Sequence, residues 1–243
     1  MIDAYTHLDV TAPDPIADYE SLMAMADVGR AVVVETWNGE TYALLDTLIK
    51  SQSPKFRVVP CFRPVQGIPS LDLLEHSMVA GLRSKTGDLL RLGSWASRLE
   101  SLGKWLVPHA EQGVGPLAEE LVILQSRFPA LRIYVPHCAW PRKNKVDDPE
   151  WEEAITRLST LPNIVAGVSA IAEFSTEPFP HNDIKPFVER LREKFGPQSV
   201  VAGSDYPLLE KTLYKEYIKL AQQWIQQGDT NWSASFESPI FKS

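Results

Sequence analysis

The sequence predicts an α/β protein that folds as a (β/α)8 TIM barrel. Short runs of apolar and β-branched residues alternate with segments of helical spacing along the whole chain. This alternation indicates parallel strands joined by right-handed crossovers, and eight such units in 243 residues match the usual length of the barrel. The glycine-rich phosphate turn that usually follows the first strand of an open doubly wound sheet is absent. No linker divides the chain, so we expect one domain over residues 1–243.

The strands are predicted from runs of apolar residues. The first strand is short and runs without a turn into Tyr5, Thr6 and His7. The second, RAVVVETW at 30–37, is almost continuously apolar, which is typical of a strand buried on both faces. Similar runs predict the remaining strands at 56–63, 78–85, 104–111, 131–138, 163–171 and 199–207.

The helices are predicted from apolar residues that recur on one face. In the segment 15–28 this face is formed by Ile16, Tyr19, Leu22, Met23 and Ala26. A proline near the start, which suits the first turn of a helix, supports the helices at 69–77, 116–128 and 182–195. Helical spacing alone predicts the others, at 40–53, 88–101, 148–160 and 209–227.

The bulk composition excludes several kinds of partner. The formal net charge is -7, the pI is about 5.3 and no block of basic residues occurs, which argues against nucleic acid or an anionic membrane. No apolar run reaches the roughly 18–20 residues that span a bilayer, and the N-terminus lacks the pattern of a signal peptide. The two cysteines, Cys61 and Cys138, form no CxxC pair. We expect a cytoplasmic protein that acts on a small molecule, with a homo-oligomer as an open alternative to a monomer.

Polar side chains stand where the predicted strands end. In a (β/α)8 barrel these ends meet at one mouth, which holds the active site. The residues concerned are Tyr5, Thr6, His7, Glu35, Thr36, Trp37, Asn38, Arg63, Arg83, Ser84, Lys85, His109, Glu111, His137, Ser169, Ser204 and Asp205. Because three of the five histidines of the chain fall at these ends, we expect a functional site there.

The histidines and one acid at this mouth suggest a metal. Imidazole nitrogens together with a carboxylate are a typical ligand set for a divalent metal, zinc above all. The sequence therefore predicts a metal site formed by His7, His109, His137 and Asp205. In the alternative interpretation each histidine is a hydrogen-bonded filler at its strand end, and Asp205, within GSDYP, only caps a helix.

Several motifs resemble those of the amidohydrolase-related barrels, the amidohydrolase 2 type that includes lactonases of sugar and pyrone acids and carboxysemialdehyde decarboxylases. IDAYTHLDV resembles the opening IDxHxH of that family, and VPHCAWP resembles its strand-six histidine with a following proline. NIVAGVSAI resembles its seventh strand, and VVAGSDYP resembles the GSDxP of its eighth, the most specific match. FESPIF, at 236–241, resembles the terminal ENPxxLF of the family. The resemblance implies a TIM barrel of the metal-dependent hydrolase type.

The resemblance also implies roles for individual residues. His7 matches the second histidine of the opening pair, and His109 and His137 match the histidines of strands five and six. Asp205 matches the acid that binds the metal and accepts a proton. Tyr5 stands where the first histidine belongs, and a neutral phenol is a poor metal ligand. We therefore expect a divalent metal, zinc, to be bound weakly or not at all.

From these roles we expect the hydrolysis of a lactone on a small carboxylated substrate. Asp205 would take a proton from water while His137, His109 or a weakly held cation polarises the carbonyl group. Arg63 and Arg83, at the ends of adjacent strands, would bind substrate carboxylates through paired hydrogen bonds.

Tyr5 and Trp37 are expected to contact the substrate, with Trp37 covering a planar ring.

Three other interpretations stay open. The two arginines could instead form ion pairs with Glu35 or Glu111. The chain could also be a metal-dependent decarboxylase of the same family. A third alternative is a catalytically silent barrel that binds a ligand, which the tyrosine and the altered C-terminal motif favour.

Overall fold

A computed structural model of the chain describes residues 1–37, 42–63, 70–143, 145, 147–208 and 211–225. Within these ranges, parallel strands alternate with helices in the order that the sequence predicts. The strands are β1 (Ile2–Thr6), β2 (Arg30–Val34), β3 (Phe56–Val59), β4 (Gly81–Lys85), β5 (Trp105–His109), β6 (Arg132–Val135), β7 (Ile164–Val168) and β8 (Val200–Ala202). Each predicted strand is present, although most are shorter than the apolar run that predicts them.

The α-helices lie between and after the strands. They are α1 (Pro15–Ala26), α2 (Tyr42–Ser51), α3 (Ser94–Leu102), α4 (Val114–Arg127), α5 (Pro149–Ser159), α6 (Ile171–Phe174), α7 (Lys185–Phe195) and α8 (Tyr214–Ile225). The helix predicted at 69–77 is the 3-10 helix Leu71–Glu75, and the short helix α6 is not predicted. Asn38, the 236–241 motif and the parts of predicted helices at 40–41, 69, 209–210 and 226–227 lie outside the described residues.

Backbone hydrogen bonds join the strands across both gaps in the regular pairing. Regular pairs form one sheet of β1–β2–β3 and a second of β4–β5–β6–β7–β8. Between β3 and β4, the Ala80 N–H donates to the Val58 carbonyl at 2.9 Å. Between β8 and β1, the Asp205 N–H donates to the Tyr5 carbonyl, also at 2.9 Å. These bonds connect the two sheets on both sides, as the (β/α)8 barrel requires.

A buried carboxylate links the first strand to the last. Asp3 is fully buried, and its Oδ1 accepts a hydrogen bond from the Ser204 N–H at 2.8 Å. Its Oδ2 accepts from the Tyr19 hydroxyl on α1 at 2.8 Å and from the Tyr214 hydroxyl on α8 at 3.1 Å. One carboxylate thus holds together β1, the end of β8 and the two helices that follow these strands.

The outer helices cover the strands with one apolar face each. In α5 the buried residues recur at helical spacing and are Trp151, Ala154, Ile155 and Leu158. Asp148 begins this helix by accepting a hydrogen bond from the Glu150 N–H. Throughout the described ranges, every helix is too short or too polar to cross a bilayer.

Gly203 allows close contact between β8 and β1. A Cβ atom at this position would lie 2.8 Å from the Tyr5 Cβ and 2.9 Å from the Tyr5 nitrogen. We expect Gly203→Ala to lower the free energy of unfolding by about 1–3 kcal/mol, the usual cost of overpacking. Urea unfolding of both proteins measures the difference.

Gly29→Ala is the matched control, because its added Cβ would meet nothing nearer than the Met1 carbonyl oxygen at 3.8 Å. This variant should stay within about 1 kcal/mol of the wild type. Equal stability of Gly203→Ala and the wild type would contradict the close contact of the two strands.

Candidate active site

Three predicted site residues meet at the mouth, where the strands end. The His7 Nε2 lies 3.4 Å from the Asp205 Oδ1, and the His137 Nδ1 lies 3.8 Å from the Asp205 Oδ2. All three residues are buried. Backbone bonds fix the first two: the Asp205 N–H donates to the Tyr5 carbonyl and the His7 N–H donates to the Tyr206 carbonyl at 2.7 Å. The mouth therefore contains one carboxylate between two imidazoles.

The hydrogen bonding of His7 determines which ring nitrogen faces the acid. Its Nδ1 lies 2.6 Å from the Val34 carbonyl oxygen, and because a carbonyl only accepts, Nδ1 carries the hydrogen. In the neutral ring, Nε2 is then an acceptor that faces another acceptor, the Asp205 Oδ1. Two acceptors 3.4 Å apart require a shared donor, which is a proton or a water molecule.

Asp205 is held as a reactive carboxylate. Its Oδ1 is buried and has no hydrogen-bond partner among the described residues. Its φ is +58°, in the left-handed region where strained residues of active sites gather. Burial alone would raise its pKa, but His137 and His7, when their rings are protonated at low pH, and the guanidinium of Arg83 outweigh burial and hold the pKa below its usual value. Asp205 is thus ionised at neutral pH and can accept a proton.

His137 lies in a strained turn. The predicted strand 131–138 ends early, at Val135, and all four residues from His137 to Trp140 have φ between +50° and +57°. The left-handed region disfavours residues with a Cβ, so this turn costs energy that its surroundings must offset. Ser169, after β7, contributes here, because its Oγ accepts from the His137 N–H at 3.0 Å and contacts the ring Nδ1 at 3.0 Å.

The charge state of His137 follows from its burial. Burial lowers its pKa to about 4, even though the nearby Asp205 carboxylate acts in the opposite direction. The ring is therefore neutral at physiological pH. Because the Ser169 oxygen already accepts from the backbone, its own hydrogen is available to donate to Nδ1. In that arrangement the His137 hydrogen is on Nε2.

His109 is paired with an arginine instead of the acid. The Arg83 Nη2 lies 3.4 Å from the His109 Nδ1, and since a guanidinium only donates, Nδ1 accepts and the ring hydrogen is on Nε2. Burial, followed by the charge of Arg83, lowers the pKa of His109 to about 4. Arg83 also donates to the Glu35 carbonyl at 2.8 Å and lies over the Trp37 ring at 4.8 Å.

Arg63 forms one of the ion pairs that the sequence left open. Its Nη2 lies 2.6 Å from the Glu35 Oε1, and the Glu35 side chain is fully buried. The other carboxylate oxygen of Glu35 accepts from the Cys61 N–H at 2.6 Å. This pairing corrects the expectation of a guanidinium free to bind substrate, because a buried carboxylate needs the charge of Arg63. Glu111 pairs with Lys85 instead of either arginine.

Tyr5 and Trp37 both lie at the mouth. The Tyr5 ring is fully buried and makes edge contacts with the rings of His7 at 5.3 Å and His137 at 4.6 Å. Its hydroxyl has no hydrogen-bond partner among the described residues, and burial raises its pKa. Trp37 is half-buried and contacts the His109 ring at 5.6 Å. Their contact with substrate stays a prediction.

The four predicted ligands do not fit a metal. A catalytic zinc site needs three protein ligands whose lone pairs meet at one point. Here the His7 Nε2 lies 3.4 Å from the Asp205 Oδ1, the His137 Nδ1 contacts Ser169, and the His109 Nδ1 accepts from an arginine. Within the described ranges, no group of three or more histidines, cysteines and acids is placed to hold a metal ion. The predicted ligand set of His7, His109, His137 and Asp205 is therefore not assembled as a metal site among the described residues.

A cavity of about 330 Å³ opens beside the carboxylate. It is lined by Ala170, Ile171, Ala172, Glu173, Ser204, Asp205 and Leu208. Glu173 was not among the predicted site residues, because it follows β7 on the short helix α6, for which the sequence shows no clear periodicity. Burial, reinforced by the negative charge of Asp205, raises its pKa. The cavity is large enough for a small ring compound.

This fold and this mouth define a class of protein: TIM barrels whose strand ends present an acid among imidazoles. A family model described as Amidohydrolase matches residues 4–230. The chain belongs to the amidohydrolase family. This membership confirms the resemblance and the TIM-barrel fold, and it supports the prediction of a hydrolase.

Three known proteins illustrate the relationship. The chain is 31% identical over 91 residues to the L-fucono-1,5-lactonase of Burkholderia ambifaria, a match that covers 36% of this chain and 30% of that lactonase. A Pseudomonas putida structure assigned as a 2-pyrone-4,6-dicarboxylic acid hydrolase has a TM-score of 0.77 and 17% identity, over 100% of this chain and 98% of the other. A zinc-bound amidohydrolase structure from Burkholderia multivorans has a TM-score of 0.73 and 16% identity, over 98% and 96% of the two chains. At this identity the two structures show a shared fold.

The burial of His137 predicts a pH dependence of stability. Its pKa is about 4 in the folded chain and about 6.5 in an unfolded one, so the unfolded state binds more protons between these values. Stability should therefore fall as the pH drops from 6.5 towards 4. His137→Gln removes this contribution of about 2 kcal/mol, and the loss of melting temperature between pH 7 and pH 5 should shrink by on the order of 4–7 °C.

Thermal melts followed by circular dichroism measure this loss. His76→Gln, at a half-buried histidine outside the mouth, is the control and should melt with the pH dependence of the wild type. Acids with a raised pKa, such as Asp3 and Glu173, make the stability rise as the pH falls, but they are present in all the proteins compared. An unchanged pH dependence in His137→Gln would show that folding does not lower the pKa of this ring.

Proposed function

We propose that this chain hydrolyses a lactone on a small carboxylated substrate, with Asp205 as the general base. The observation that carries the proposal is the buried Asp205 Oδ1, which lacks a partner among the described residues and lies 3.4 Å from the His7 Nε2. The partial match to L-fucono-1,5-lactonase and the fold shared with a 2-pyrone-4,6-dicarboxylic acid hydrolase support a cyclic ester as substrate.

The two facing acceptors define a position for the attacking water. A water molecule to one side of the two atoms, within hydrogen-bond distance of both, can donate one hydrogen to the Asp205 Oδ1 and the other to the His7 Nε2. With both hydrogens donated in this way, a lone pair of the water oxygen points away from His7 and Asp205. The Val34 carbonyl keeps the ring hydrogen of His7 on Nδ1, so Nε2 stays an acceptor.

The proposed reaction then proceeds in two steps. The water oxygen attacks the lactone carbonyl carbon while Asp205 takes a proton, which gives a tetrahedral oxyanion. The bond from this carbon to the ring oxygen then breaks, and protonated Asp205 returns the proton to the departing ring oxygen. The product is an open-chain hydroxy acid, and Asp205 is again a carboxylate. No step uses a metal, because the donor set does not fit one.

Neutral imidazoles are suited to stabilise the oxyanion. With Nδ1 of His109 accepting from Arg83, its Nε2–H is left to donate, and the Nε2–H of His137 is placed in the same way by Ser169. Donors fixed before the reaction stabilise developing charge without reorganisation. We therefore propose His109 and His137 as donors to the carbonyl oxygen.

Arg83 is the better candidate for binding a substrate carboxylate. Its guanidinium is buried, and its Nε has no partner among the described residues. The ring centroids of Tyr5 and Trp37 lie 5.7 Å and 4.8 Å from its guanidinium carbon, so an arginine-bound substrate would lie near both rings. Arg63 contributes less, because Glu35 already engages it.

The cysteines and Asp205 also bear on where the protein acts and on the alternative functions. Cys61 and Cys138 are buried and free of disulfides, which is typical of the reducing cytoplasm, where we propose that the protein acts. Decarboxylation is the second candidate reaction, because it needs the same acid. A silent barrel is disfavoured by Asp205, since a buried carboxylate without a partner costs stability and serves no purpose in a scaffold.

Asp205→Asn should reduce kcat by about 10²–10⁴-fold, the usual contribution of a positioned base. Asparagine also tolerates a φ of +58°, so the backbone turn should persist. A panel of sugar 1,5-lactones and carboxylated pyrones, followed by acid release, identifies the substrate. A parallel panel of semialdehyde acids and aromatic acids, followed by carbon dioxide release, tests decarboxylation.

Asp27→Asn is the matched control, because Asp27 has the same φ of +58° but is exposed at the end of α1. It should keep wild-type kcat. Full lactonase activity in Asp205→Asn would refute the role of the base, and carbon dioxide release without lactone opening would favour the decarboxylase.

A further inference from the structure

The mouth contains a buried positive charge without a carboxylate in contact. Arg83 is 4% exposed, and no acid among the described residues forms an ion pair with it. The carboxylate of Glu35 is engaged by Arg63 and by the Cys61 N–H, and only the backbone carbonyl of Glu35 accepts from Arg83. Such a cation favours an anion in the mouth and repels a second cation.

The same guanidinium removes a potential ligand atom. Its Nη2 donates a hydrogen bond to the Nδ1 of His109, so the ring hydrogen of His109 is on Nε2. Neither nitrogen of His109 presents a lone pair to the mouth. A metal could bind this ring only after Arg83 had moved, and the bond to the Glu35 carbonyl and the contact with the Trp37 ring both hold Arg83 in place.

Tyr5 lies between this charge and the His7–Asp205 pair. Its ring centroid is 5.7 Å from the Arg83 guanidinium carbon and 5.3 Å from the His7 ring. The resemblance to the family implies a histidine here, whereas this chain has a buried phenol. Compared with the ligand set that the resemblance implies, Tyr5 lacks a ligand nitrogen and the Nδ1 of His109 is already hydrogen-bonded to Arg83. The guanidinium of Arg83 also adds a positive charge, which disfavours a metal cation.

We infer that Tyr5 and Arg83 together exclude a divalent metal from this mouth, and that the Arg83 guanidinium supplies the positive charge that attracts and polarises the substrate. Two residues on strands β1 and β4 thus change a cation site into an anion site. The catalytic part of this inference rests on the proposed function. The exclusion of metal rests on the arrangement of the ligand atoms alone.

The test is a titration of the full-length protein, freed of metal by chelation and dialysis, with Co²⁺ and with Zn²⁺. Calorimetry gives the affinity, and the visible absorption of Co²⁺ reports whether the ion is bound in a distorted tetrahedral site. The proteins compared are the wild type, Tyr5→His, and the double variant Tyr5→His/Arg83→Met. Tyr5→Phe/Arg83→Met is the matched control, because it removes the same hydroxyl and the same charge but adds no ligand. Circular dichroism confirms that each variant is folded.

We expect the wild type and the control to bind Co²⁺ only weakly, and the double variant to bind one equivalent of Co²⁺ about 10- to 100-fold more tightly than the wild type. Should the double variant fail to fold, Tyr5→His alone should show a smaller gain in the same direction. One equivalent of Co²⁺ bound to the wild type and lost in His7→Gln would overturn the inference. Equal affinities of Tyr5→His/Arg83→Met and its phenylalanine control would overturn it as well.

Failure of this inference and failure of the proposed function are distinguishable. The titration needs no substrate, so an inactive lactone panel leaves its result unaffected. Conversely, a wild type that binds Co²⁺ tightly and opens lactones would refute metal exclusion but retain the hydrolase.

Discussion

The contact between the first and the last strand is the constraint on which the site depends. Asp3 connects β1 to the end of β8 through the Ser204 N–H, and Gly203 lets the two backbones approach. The backbone bond from Asp205 to the Tyr5 carbonyl continues this contact up to the mouth. As a result, His7 and Asp205 face each other although they lie at opposite ends of the sequence.

This constraint explains why the strain of the site is tolerated. Asp205, Ala170 and the turn from His137 to Trp140 all have positive φ, and all of them border the mouth. Each departs from the backbone conformation that residues with a Cβ prefer, at a cost on the order of 1–3 kcal/mol. The paired barrel strands and the hydrogen bonds of Ser169 hold these residues where isolated loops would relax. This arrangement places the imidazoles of His7 and His137 next to Asp205, which itself lines the small cavity.

Much of the fold could be predicted from the sequence, because strand burial and helix faces are local properties. The runs of apolar residues located each strand, and the rule that strand ends meet at one mouth placed His7, His137 and Asp205 together. The interactions of side chains from different strands could not be predicted in this way. The bond from Arg83 to His109, the capture of Arg63 by Glu35 and the left-handed turn after β6 depend on which atoms the barrel brings within reach. For the same reason the sequence could not show whether the four expected ligands are assembled, since residue types alone do not show where a lone pair points.

The central claim is that His7 and Asp205 share a water molecule as two facing acceptors. A crystal structure of the wild-type chain, at a resolution that shows ordered water and with a lactam analogue of the substrate bound, tests this most directly. The account predicts a water within hydrogen-bond distance of both the His7 Nε2 and the Asp205 Oδ1, with the analogue carbonyl on its far side. A metal ion at that position, or a direct bond between imidazole and carboxylate with no water between them, would contradict it.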